Sequence, residues 1–124
     1  MQFTVYWCAE VAAKFPELAI SIGTINNVSV KRENVEIREL KRALYLEVKA
    51  KHDVEKLKEN PVVRAYRDFY WKLGIDPTKT RPSGEALLRR VLHGDELPTI
   101  STAVDAYNLA SMKTIIPISG FDKD

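Results

Sequence analysis

The sequence predicts an α+β domain in which a small sheet, mixed or antiparallel, packs with several helices. Three observations lead there. β-Branched and aromatic residues cluster near both ends of the chain, as strands prefer. Apolar residues recur at i, i+3, i+4 and i+7 through the middle, as one face of a helix requires. Gly, Pro and Asn stand between the two kinds of pattern, where turns belong. The chain has 124 residues, 45% apolar and 29% charged. That is the size and composition of one globular domain, so residues 1–124 are expected to form a single unit.

Residues 3–7, Phe-Thr-Val-Tyr-Trp, read as a first strand. Residues 9–15 allow a short helix, stopped by Pro16. Residues 18–30 place Ile20, Ile22, Val28 and Val30 on a period of two, which predicts one strand or two broken near Gly23 or Asn26-Asn27. Asn34 opens a long helix with Ile37, Leu40, Leu44 and Val48 on one face, and Val54 and Leu57 extend it or start another. Asn60-Pro61 pairs a capping side chain with proline at the first helical position. Val62, Val63, Tyr66, Phe69, Tyr70 and Leu73 follow as an apolar stripe, predicting a helix over 61–73 that ends at Gly74. Pro82-Ser83 begins a helix over 83–93 with Leu87, Leu88, Val91 and Leu92 inward. Ser101 or Thr102 caps a last helix through 112, and residues 114–118 read as a closing strand.

Composition excludes several function classes. One cysteine, Cys8, allows no intrachain disulfide, and its aromatic surroundings suggest a buried, inert thiol. His52 and His93 are far apart and lack partners at ligand spacing, so no metal site and no cofactor are expected. No apolar run is long enough to span a bilayer. A soluble, cytoplasmic protein is the expectation. No Gly-rich phosphate loop and no strained serine turn is present.

Charge is the positive signal. Residues 61–93 hold seven basic and three acidic side chains, a balance of +4, while the whole chain is only +2. Such a local excess suits phosphate binding. Arg81, Arg89, Arg90 and Lys79 are the candidates, with the Arg89-Arg90 pair read as lying on an outer helix face. Tyr66, Phe69 and Tyr70 have the spacing of core residues, and Trp71 lies off their stripe.

Residues 62–94, VVRAYRDFYWKLGIDPTKTRPSGEALLRRVLHG, resemble the free-standing B3/B4-domain proteins. These are related to the editing domain of the phenylalanyl-tRNA synthetase β subunit. LPTISTAVDAYNLASM at 97–112 and PISGFD at 117–122 continue the resemblance in order. It implies an α+β fold, tRNA as partner and, in the synthetase, hydrolysis of tyrosine misattached to phenylalanine tRNA. In the synthetase the last two blocks contain a Thr-Asn pair and, after a proline, a histidine followed by a small residue, Phe and Asp. Here Asn108 matches the Asn and Tyr107 stands at the Thr position. Pro117, Phe121 and Asp122 match, but Ser119 replaces the histidine. Tyr107, Asn108, Pro117, Ser119 and Gly120 are thus the candidate pocket residues, with no catalytic residue assigned.

A serine cannot hold a proton near neutral pH as histidine does. The family domain also continues past the length present here, so this chain is expected to be the N-terminal portion of a B3/B4-like fold. Both points favour a tRNA- or RNA-binding module over a hydrolase of misacylated tRNA. A structural or small-molecule-binding fragment is the third reading. A closing strand without its partners would leave an exposed edge, so a homo-oligomer is expected.

Overall fold

The computed structural model describes residues 4–123. Five α-helices and one short 3-10 helix make up its regular structure: α1 (Ala9–Lys14), α2 (Val35–Lys51), the 3-10 helix (Val54–Glu59), α3 (Pro61–Lys72), α4 (Ser83–Leu92) and α5 (Thr102–Thr114).

Helices α2, α3 and α5 start where their caps predict. Asn34 accepts from the Ile37 amide at 2.8 Å, and Asn60 accepts from the Val62 amide at 2.9 Å ahead of Pro61 at the first helical position. Ser101, rather than Thr102, caps α5 by accepting from the Val104 amide at 3.2 Å. α3 ends at Gly74, whose φ of +77° suits a residue without Cβ.

The expected sheet is absent: among the described residues there is no strand, and the fold is helical with long irregular segments. Each proposed strand fails for a local reason. Of residues 3–7, Phe3 lies outside the described residues, and the remainder runs straight into α1. Residues 18–30 turn at Asn27, which has φ +58°, and residues 19–30 make no backbone hydrogen bond among the described residues. A period of two marks a strand only when a neighbour pairs with it. At the other end, α5 continues through Thr114, whose hydroxyl donates to the Ala110 carbonyl at 2.8 Å. Ile115 then turns the chain in the left-handed region, φ +65°, an uncommon geometry for a β-branched residue. The Ser111 hydroxyl fixes that turn by donating to the Ile116 carbonyl at 2.7 Å.

The core lies between α2, α4 and α5. Leu44 and Val48 of α2 meet Leu88 and Val91 of α4, and Leu109 and Met112 of α5, all buried. Leu57 and Val63 anchor the 3-10 helix and α3 to this cluster. The α3 stripe is less covered than its spacing suggests. Tyr66, Phe69 and Tyr70 are half-buried and Leu73 is exposed. Phe69 stacks edge-on with Phe15, ring centres 5.0 Å apart. Trp71 is exposed, as its off-stripe position implies. Cys8 is also exposed, not buried, because it precedes α1 on a segment that no other element covers.

Candidate functional site

Between α3 and α4 the structure gathers three arginines on one carboxylate. Glu85 sits in the first turn of α4, where the helix dipole favours a negative charge. It is only 1% exposed. Arg67, from the middle of α3, reaches it with two donors, Nε to Oε2 at 3.1 Å and Nη2 to Oε1. Arg89, one turn along α4, donates from Nε to Oε1 at 2.8 Å. Arg81, in the approach to α4, brings its Nε to 4.0 Å from the same Oε1.

α4 can lie here because Gly84 has no side chain. A Cβ at Gly84 would stand 2.3 Å from the Ile115 carbonyl oxygen, so glycine allows α4 to touch the turn after α5. Burial alone pushes the Glu85 carboxyl up. The hydrogen bonds from Arg67 and Arg89, with their charges, outweigh it and hold the group below its ordinary value. In turn, the Glu85 hydrogen bond raises the pKa of Arg67 against the opposing effect of burial. The carboxylate therefore stays ionised, and the cluster keeps three guanidinium charges against one negative charge.

The four basic candidates occupy different settings. Lys79 is exposed in the turn after α3. The Arg81 side chain is 44% exposed. Arg90 is exposed and donates from Nε to the Glu96 carbonyl at 2.9 Å. Arg89 is not on an outer face: its side chain is 15% exposed and lies against Glu85. Arg67 and Glu85 were not singled out by the sequence. The spacing of Glu85 and Arg89 was a readable signal, since residues four apart meet on a helix. Arg67 joins them only because its side chain reaches across from α3 to α4.

The candidate pocket residues are partly assembled. Tyr107 and Asn108 are half-buried neighbours on α5, and Pro117 is half-buried. Ser119 and Gly120 are exposed on the irregular tail. Gly120 approaches the Tyr107 ring so closely that a Cβ there would lie 2.6 Å from it. Two surface hollows lie elsewhere. One, of about 370 Å³, is lined by Lys51, His52, Asp53, Lys56, Leu57 and Asn60. Burial depresses the His52 pKa there, with the Lys51 charge adding to the effect. The other, of about 150 Å³, lies between Trp7, Ala12, Phe15, Pro16 and Leu18.

A second buried carboxylate closes the far side of the core. Asp105 accepts from the Ile100 amide at 3.0 Å, and its Oδ2 lies 3.6 Å from Lys41 Nζ on α2. Tyr45, one turn after Lys41, accepts from the Leu97 amide at 2.8 Å. Together these fasten the loop before α5 to α2. Among the described residues no cluster of His, Cys, Asp and Glu has the makings of a metal site, and no helix is long and apolar enough to cross a membrane.

Residues 65–124 match the family model of the B3/4 domain. Over this stretch the chain is similar to the B3/4 domain. The comparisons with curated proteins and with solved structures return no match. The B3/4 stretch contains the whole Glu85 cluster, from Arg67 to Arg89, and all five pocket candidates. Lys41 and Tyr45, which fasten its loop from α2, lie before it.

Proposed function

We propose that the chain is an RNA-binding module with tRNA as its partner, acting in the cytoplasm and as a homo-oligomer. The observation that carries this reading is the excess of guanidinium charge around Glu85. Three arginines share one carboxylate within the B3/4 stretch, and Lys79 stands exposed just ahead of Arg81. Arginine forks match phosphate geometry, and a positive patch raises the local concentration of a polyanion. The B3/4 match adds the resemblance to a tRNA-editing domain.

The hydrolase reading has less support. Ser119 stands where the synthetase block has histidine, and it is exposed on the tail. Tyr107, Asn108 and Ser119 line neither of the two hollows described above.

The test is tRNA binding as a function of salt. Affinity should fall by about 0.7–0.9 log units per phosphate contact for each tenfold rise in salt. Lys79→Ala with Arg81→Ala should reduce that slope by about one unit per contact removed. This pair is a cleaner probe than Arg89 and Arg90, because Arg89 holds a buried carboxylate and its loss would disturb the fold. Wild-type protein that leaves tRNA free at about 50 mM salt, where such contacts are strongest, would sink the proposal.

A further inference from the structure

Arg81 stands in charge contact with Glu85 but makes no hydrogen bond to it. Oε1 already takes Arg67 Nη2 and Arg89 Nε, and Oε2 takes Arg67 Nε. A third donor at Oε1 would have to displace one of these, and Arg81 accordingly stops at 4.0 Å, a charge contact rather than a hydrogen bond. Its guanidinium fork is free for another acceptor and open to solvent. Arg89 spends only Nε on Glu85, so its two terminal nitrogens are also uncommitted. Three guanidinium charges against one carboxylate leave two positive charges in the cluster.

We propose that Arg81 and Arg89 bind a single terminal phosphate group, with Glu85 and Arg67 holding them in place. The charge count distinguishes the ligand. A phosphate monoester carries about −1.5 to −2 at pH 7 and presents three acceptor oxygens, which suits a cluster with two spare charges, an exposed fork on Arg81 and unspent donors on Arg89. An internal phosphodiester carries one charge and two free oxygens. Glu85 is a positioning residue: it ties Arg89 through a bond to Nε and leaves the terminal nitrogens out of that bond. This deepens the RNA-binding reading and rests on it only for the source of the phosphate. The chemistry is shared by inorganic phosphate and the phosphorylated end of an RNA.

The experiment separates these sources. One RNA oligonucleotide is prepared with a 5′-phosphate and with a 5′-hydroxyl, and binding is measured at low salt by fluorescence anisotropy. The phosphorylated form should bind about tenfold more tightly, the worth of one charge-assisted hydrogen bond. Arg81→Gln should erase that difference while leaving the melting temperature near that of the wild type, because its side chain is exposed and hydrogen-bonds nothing on Glu85. Arg81→Lys keeps the charge but not the fork and should recover only part of the preference. Sodium phosphate should raise the melting temperature above sodium chloride at matched ionic strength, and Arg81→Gln should remove this gain. If phosphate stabilises the protein through Arg81 but neither oligonucleotide binds, the anion site stands and the RNA reading falls. If both oligonucleotides bind equally and phosphate gives no shift, the terminal-phosphate site falls while the RNA reading stands.

Discussion

Glu85 is a buried carboxylate shared by three arginines. Removing one member of a buried, hydrogen-bonded charge group leaves the others uncompensated, and such losses cost roughly 3–5 kcal/mol. Glu85→Gln should approach that range, because three guanidinium groups would face an acceptor without charge. Its pH signature follows from sign. Arg67 and Arg89 hold the folded-state pKa of Glu85 below its ordinary value, despite burial. The stabilisation is then complete above the unfolded value of about 4.3 and is lost as pH falls through the lower folded value. Urea unfolding of wild type should therefore weaken across this acidic window, and Glu85→Gln should lack that component. A variant with the wild-type acid dependence would show that the carboxylate is not the titrating group. Replacement of Arg81, at 4.0 Å and partly solvated, should change stability far less.

At the level of elements, α4 is placed by the absence of a side chain. Its first turn meets the backbone of Ile115, and a Cβ at Gly84 would lie 2.5 Å from the Ile115 carbonyl carbon as well as 2.3 Å from its oxygen. Both atoms belong to a main-chain turn fixed by Ser111, so neither can yield as a flexible side chain would. Gly84→Ala should destabilise by about 1–3 kcal/mol through overpacking, even though alanine is the better helix former. A thermal melt unchanged or raised by the substitution would place α4 farther from α5. The helices themselves were legible in the sequence because their signals are local. Asn34, Asn60-Pro61 and Ser101 announce starts, and Leu88 and Val91 declare a buried face. The strands were misread because alternation at Ile20 and Ile22, or Val28 and Val30, describes a segment without saying whether anything pairs with it. The continuation of α5 through Thr114 depended on a side-chain bond to Ala110, which spacing alone does not reveal. Of the candidate site, Arg81 and Arg89 were legible as charge. Arg67 was not, since its meeting with Glu85 is a matter of tertiary packing.

At the scale of the whole molecule, the helical core leaves a long apolar strip uncovered. Ile20, Ile22, Ile25, Val28 and Val30 are all exposed, although α2, α4 and α5 bury their own apolar faces well. The strip is held to the start of α5 and to the C-terminal tail at its polar points. Lys31 and Thr102 exchange hydrogen bonds, the Thr102 amide donating to the Lys31 carbonyl at 2.8 Å, and Lys123 donates to Asn26. On that tail Ile116 and Ile118 are exposed and Phe121 is 93% exposed. Residues 19–30 carry no charged side chain, so like-charge repulsion does not keep two such strips apart. Their unused backbone donors and acceptors supply the hydrogen bonds that an extended partner needs. Apolar patches of this extent favour association over solvation. The chain should therefore form dimers or larger oligomers at high micromolar concentration, visible as concentration-dependent sedimentation. Ile20→Lys with Val28→Lys should return it to a monomer, since charges on a strip resist pairing. Folding stability should move by no more than about 0.5 kcal/mol, because both side chains are exposed. A wild-type chain that sediments as a monomer throughout would overturn this prediction. An oligomer indifferent to both lysines would assign the contact to another surface, with the half-covered stripe of α3 next to be tested.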